Sequence, residues 1–279
     1  MSAEQALLTL LMERLSANLL VLPTLPEIAV RVRQAADDPD INLNSMAEVI
    51  ALDTALAARM IKIANSAFMG RTVKVTTLNQ AVTRIGLSQV KNIATAMALE
   101  QLFVSHSPDI ACRMTQLWRD TVQVTAVAMA CLKFYLQKHK HEGLNLDTLT
   151  LAGLVYQIGV LPILAEAEKY PDTFGDDDFL QKVMLDYSAP IGVAIMKSWG
   201  FADTFTEVVK HSRATQPEPH VGYTDFIRLG LVVCGLWHDA QSAELLLTDY
   251  LQRGVIPQLS PLQDPDITAW FEEAKTLFC

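Results

Sequence analysis

The run Leu151-Ala152-Gly153-Leu154-Val155-Tyr156-Gln157-Ile158-Gly159-Val160-Leu161-Pro162-Ile163-Leu164-Ala165 is largely apolar, interrupted by Gln157 and Pro162. It falls short of the roughly 20 residues needed to cross a bilayer, so it reads as a helix buried in protein. A buried helix needs other helices around it, and the flanking sequence supplies them. Leu56, Met60, Ile63 and Ala64 follow the spacing of one helix face, and Val90, Ile93, Ala94 and Met97 repeat it, with Ser88 as the expected N-cap. Residues 113–137 read as one long helix through Met114, Leu117, Thr121, Val124, Ala128 and Leu132. Asp147 is expected to cap the next helix, and Ser188 with Pro190 reads as a cap followed by an early-helix proline. Asp203 and Asp225 start two more. Asp264-Pro265 opens a last helix that buries Ile267, Trp270, Phe271 and Ala274. Lys74-Val75-Thr76-Thr77 is the nearest thing to a strand, and it is short. The fold class is all-α.

Composition narrows the function classes. The 279 residues are 51% hydrophobic, enough for a sizeable core. Twelve Gly and twelve Pro point to short connections. A net charge of −9 argues against general nucleic-acid binding, which neutralises phosphates with Lys and Arg. Cys112, Cys131, Cys234 and Cys279 form no C-x-x-C pair and read as free thiols of a reducing, cytoplasmic compartment. The apolar Leu7–Met12 run lacks a basic leader, so no signal peptide and no membrane span are expected. His139 and His141 have a spacing that does not share a helix face, and they read as a solvated helix end. There is no P-loop, dinucleotide fingerprint, G-x-S-x-G or H-E-x-x-H, and no cofactor is called for. Breaks at 105–109, 173–178 and 215–223 divide the chain into 1–106, an N-terminal helical lobe, 107–214, a second helical lobe, and 215–279, a C-terminal helical appendage.

Several short pieces carry a family resemblance. Leu22-Pro23-Thr24-Leu25-Pro26, Ile63-Ala64-Asn65-Ser66-Ala67 and Gln80-Ala81-Val82-Thr83-Arg84-Ile85-Gly86-Leu87 match L-P-x-L-P, A-N-S-A and A-[VI]-x-x-[LI]-G in order. Leu154-Val155-Tyr156-Gln157-Ile158-Gly159 resembles the G-L-L-H-D-I-G signature of the HD metal-phosphohydrolase superfamily. Together they resemble the HDOD family, HD-related output domains of bacterial signalling proteins, over about Leu20 to Ser212. The resemblance implies two helical lobes, the second related to the HD phosphodiesterase-like domain, and a regulatory rather than catalytic role.

The resemblance also implies where metal ligands would stand. The H-D pair falls on Tyr156 and Gln157, a further His on Asp120 after Trp118-Arg119, another on Ser188 before Ile191-Gly192, and the last on His211. Only His211 is a histidine. A phenol, an amide and a hydroxyl are poor substitutes for the imidazoles and carboxylates of such a centre, so no bound metal is expected. Asn65 and Ser66 read as a turn, with Asn65 able to take the left-handed conformation that ends a helix.

The basic residues are concentrated. Arg59, Lys62, Arg71, Lys74, Arg84 and Lys91 fall between Thr54 and Leu99 with no acidic residue among them, whereas the rest of the chain carries 16 basic and 31 acidic residues. Such a segment is a candidate surface for an acidic partner or a phosphate group. Three functions follow. The first is a non-catalytic signalling module that binds a partner protein or a small nucleotide signal. The second is a degenerate metal-dependent phosphohydrolase. The third is a nucleotide- or nucleic-acid-binding module using residues 59–91. Metal content separates the first from the second, and binding of nucleotides or nucleic acid separates the first from the third.

Overall fold

Capping side chains set the starts of the first helices. The computed structural model describes residue 13 and residues 22–69, 73–139, 143–171, 177–216 and 218–278. Arg71, His141, Leu7–Met12 and Cys279 lie outside the described residues. After α1 (Glu27–Ala36), the Asn42 carboxamide accepts from the Asn44 and Ser45 amides at the start of α2 (Leu43–Ile50). The Asp53 carboxylate accepts from the Leu56 amide to open α3 (Thr54–Ala64), and Thr77 with Gln80 forms a reciprocal capping box on α4 (Leu78–Ile85). Gly86, at φ 88, makes the left-handed turn into α5 (Leu87–Ala98). Ser88 therefore lies inside the first turn of α5 and is not its cap.

The second layer is built on α6 (Pro108–Lys138), where every residue from Val124 to Leu132 is buried. A helix buried on all sides needs small groups where backbones approach. A Cβ at Gly153 of α7 (Leu146–Val155) would meet the Thr125 Oγ1 at 2.6 Å. One at Gly230 of α11 (Tyr223–Val233) would meet the Val124 carbonyl at 2.5 Å. The C-terminal α13 (Pro265–Leu277) packs on the same long helix, capped by Asp264 as its sequence suggests. Ile267 and Ala274 are buried on its inner side, whereas Trp270 and Phe271 are half-buried. Two helices of the C-terminal part, α11 and α13, thus share the core with α6. The buried Arg228 joins them to the second layer, donating to the His211 carbonyl at 3.0 and 3.2 Å and to the Gln216 carbonyl at 2.9 Å. Asp225 lies beside it, its carboxyl pushed above the usual carboxylate range by burial.

The apolar run around residue 156 is not one helix. It is α7, a turn at Tyr156–Gly159, and α8 (Val160–Lys169). Over Leu146–Lys169, 89% of the most apolar window is buried inside the protein. Two expected helix starts also move. Asn145, not Asp147, caps α7 by accepting from the Thr148 amide at 2.9 Å. Ser188 and Pro190 lie within α9 (Asp177–Ser198), which continues through the proline. Pro190 is exposed, so only the Asp186 carbonyl loses its intrahelical donor. Asp203 is the first residue of α10 (Asp203–His211), after Ala202. Asp225 sits in the first turn of α11, accepting from the Gly222 amide at 2.9 Å. The remaining helix is α12 (Ala240–Gln252).

The two layers meet through the first motif. The Trp199 Nε1 donates to the Pro23 carbonyl at 2.9 Å, and the Arg33 guanidinium lies 4.2 Å from the centre of the Phe201 ring. This is a cation–π contact across the seam. No strand occurs among the described residues, and the protein is all-α with two helical lobes.

Candidate functional site

Gln157, from the turn at Tyr156–Gly159, lines a cleft with a cavity volume of about 370 Å³. Its walls are two helix faces of identical spacing. Arg113, Gln116, Leu117 and Asp120 come from α6, and Gln181, Met184, Leu185 and Ser188 from α9. Residues at i, i+3, i+4 and i+7 share a face, so each helix presents a mixed polar and apolar strip. Val160 and Leu164 of α8 add apolar surface, and Gln157, Arg213, Leu236 and His238 complete the lining.

Backbone packing holds this arrangement. A Cβ on Gly159 would stand 1.9 Å from the Ser188 carbonyl oxygen and 2.5 Å from the Gly192 nitrogen. Only a glycine lets the start of α8 approach α9 so closely. Gly192 in turn faces Val209 of α10, whose Cγ1 would be 2.6 Å from an added Cβ. The glycines of the Ile158-Gly159 and Ile191-Gly192 pairs therefore serve packing.

The expected ligand positions separate into three groups. Asp120, Gln157 and Ser188 line the cleft together. The Gln157 amide is turned to α6, donating to the Thr121 hydroxyl at 2.7 Å and the Leu117 carbonyl at 3.4 Å. Asp120 accepts from the Gln116 amide at 2.8 Å, and partial burial raises its carboxyl above the ordinary value. Tyr156 is buried away from the lining. Burial pushes its phenol well above the ordinary value, and its hydroxyl has no hydrogen-bond partner among the described residues. His211 stands outside the cleft, its Nε2 3.1 Å from the Glu207 carboxylate. Burial raises the Cys234 thiol to about 12.

These donors do not fit a divalent ion. The lining offers one carboxylate, one imidazole (His238), neutral amides and a hydroxyl, together with two arginines whose charge repels a cation, so it falls short of the three good ligands a centre needs. Among the described residues, no three His, Cys, Asp or Glu side chains are grouped to hold a metal.

Arg113, Arg213 and His238 were not singled out by the sequence reading. The repeated spacing at 113/116/117/120 and 181/184/185/188 was visible in the sequence. What it lacked was the pairing of α6 with α9, which only the tertiary arrangement supplies.

The basic segment is largely engaged within the protein. Arg59 pairs with Glu100 and donates to the Met97 carbonyl at 3.3 Å. Lys62 donates to the Thr276 carbonyl near the end of α13, and Lys91 pairs with Asp37 after α1. Arg84 donates to the Ala64 carbonyl at 3.0 Å and to the Val73 carbonyl. Lys74 is exposed. Asn65 ends α3 in the right-handed, not the left-handed, region, at φ −95 and ψ 0. Its carboxamide exchanges two 2.8 Å hydrogen bonds with the backbone of Val75, and that two-point bond makes left-handed geometry unnecessary. Ser66 is buried beside it.

Comparison with known proteins agrees with this architecture. A family model described as the HDOD domain matches residues 22–215. A Shewanella amazonensis protein, named as a candidate metal-dependent phosphohydrolase, is 41% identical over the full length of both chains, with a TM-score of 0.95. A candidate signal transduction protein of Marinobacter aquaeolei is 20% identical, covering 98% of this chain and 66% of that one, with a TM-score of 0.58. An uncharacterized protein of Treponema pallidum is 21% identical over 210 residues, which are 71% of this chain and 39% of that protein.

Proposed function

Because this chain belongs to the HDOD domain family, we propose that it is a non-catalytic regulatory module of bacterial signal transduction, working in the cytoplasm by binding a partner protein or a small signal. The observation that supports this reading is the chemistry of the cleft. Of the five positions where the resemblance implies an HD-type centre would hold its metal, Asp120, Gln157 and Ser188 line the cleft beside Arg113 and Arg213, whereas Tyr156 and His211 do not line it. HD hydrolysis needs a metal-activated water, and this donor set is a poor holder of the metal. The packing glycines of the same motifs are kept, so the scaffold serves a purpose other than metal chemistry. With four of its six cations bonded inside the protein, the segment 59–91 reads first as a set of structural ties.

A second reading is metal-dependent phosphohydrolysis, favoured by the name of the 41%-identical Shewanella protein. The two are separated by assaying phosphomonoesters, nucleotides and cyclic dinucleotides with Mn or Mg added. The regulatory reading expects no turnover above background. Turnover that disappears in Asp120→Ala would establish the hydrolase instead.

A further inference from the structure

We propose that the cleft between α6 and α9 is a binding site for a small organic oxyanion, a carboxylate or phosphate monoester with an apolar body. The inference rests on the reading above, that no metal occupies this cleft. Two arginines belong to the lining, and each guanidinium is held by a partner within the protein. Arg113 pairs with Asp177, and Arg213 donates through Nη1 to the Leu236 carbonyl at 3.2 Å. A guanidinium carries five N–H donors, so each of these bonds orients the group and leaves donors for a ligand. Oxyanions are the groups that planar guanidinium forks recognise best.

The rest of the lining defines the other end of the ligand. Leu117, Val160, Leu164, Met184, Leu185 and Leu236 give the cavity a predominantly apolar wall. Leu185 is 45% exposed on that wall, a large aliphatic surface that a ligand's body would remove from water. Gln157, 8% exposed, is fixed through its amide nitrogen to Thr121 and Leu117, so a buried, immobile amide also borders the site. Asp120 is the one carboxylate of the lining. It accepts from the Gln116 amide at 2.8 Å, and the two arginines of the lining outweigh its single charge. A cavity of about 370 Å³ matches small-molecule sites in size and in its pattern of apolar walls with a few fixed polar groups.

The test is isothermal titration calorimetry of the full chain with octanoate, octyl phosphate and 1-octanol, each with and without EDTA. Octanoate or octyl phosphate should bind equally well in both buffers, and the stronger of the two identifies the oxyanion. Octanol should bind at least about tenfold more weakly, the loss of one charge-assisted contact. Arg113→Gln should weaken the anion by a similar factor while leaving the melting temperature nearly unchanged, because its side chain is partly exposed. Leu185→Asn should weaken both anion and alcohol. No binding of either anion in either buffer would overturn the inference and leave the regulatory reading standing. Octanol binding as tightly as octanoate, or anion binding unaffected by Arg113→Gln, would overturn it equally. Anion binding abolished by EDTA would mean that a metal holds the oxyanion, and would overturn both readings together.

Discussion

Two regions meet at Gly159, and they obey different rules. On one side is the seam where α8 touches α9, with Gly159 against the Ser188 carbonyl and Gly192 against Val209. On the other is the cleft wall, with Gln157, Ser188 and Asp120. At Gly159 the seam tolerates nothing larger than hydrogen, because the neighbouring atoms are backbone. The wall carries a carboxylate, amides, a hydroxyl, an imidazole and two arginines around an open cleft. The difference separates what a fold requires from what a chemistry requires. Packing constraints are set by distances that no side-chain rotamer can relieve. Side chains that border open space carry no such constraint.

The largest effect should come from breaking the seam. Gly159→Ala places a methyl 1.9 Å from a carbonyl oxygen and is expected to cost at least about 3 kcal/mol, read as a large loss of denaturation midpoint or failure to fold. Gly159 has an ordinary φ of −67, so the cost is steric rather than conformational. A near-wild-type Gly159→Ala protein would show that the seam is not as tight as described. Gly192→Ala should cost less, about 1–2 kcal/mol, because the obstructing atom is a Val209 methyl that can move. Its urea midpoint should fall between those of wild type and Gly159→Ala. A cost equal to that of Gly159→Ala would remove the distinction between backbone and side-chain obstruction.

On the wall the sign should reverse. Asp120 has a folded-state pKa raised above 3.8 by burial, so between the unfolded and folded values the native state holds more protons. Stability should therefore fall as pH rises through that window, and the ionised carboxylate is a cost at neutral pH. Asp120→Asn keeps an acceptor for Gln116 and should raise the melting temperature at pH 7 by about 1–3 °C. The gain should shrink as pH is lowered toward 4. A lower melting temperature at pH 7 would reveal a cation that the carboxylate holds, and would undo the contrast with the seam.

Much of this was legible in sequence, but unevenly. The helical periodicities at Leu56–Ala64 and Val90–Met97 reappear as the buried faces of α3 and α5, because amphipathic spacing records burial directly. The motif pieces were recognisable, and the structure gives them physical reasons. Leu22–Pro26 receives the Trp199 hydrogen bond, and Asn65 pins Val75. Helix starts were less legible, because Asp147, Ser188 and Asp225 look like caps wherever they stand. Only tertiary packing tells a cap from a first-turn or interior residue. The break at Tyr156–Gly159 was hidden in the same way, since a uniformly buried segment has no polar face to mark where it turns. The cleft was half legible. Asp120, Gln157 and Ser188 follow from the motifs, whereas Arg113, Arg213 and His238 come from segments distant in sequence that carry no motif.

The most direct test of the central claim is elemental analysis of the protein purified without chelators and compared with its concentration. A cleft whose lining is one carboxylate, one imidazole, neutral amides, a hydroxyl and two arginines predicts transition-metal content well below one ion per chain, unchanged by Asp120→Asn. One or more tightly held Fe, Mn or Zn ions per chain, lost in Asp120→Asn, would contradict it.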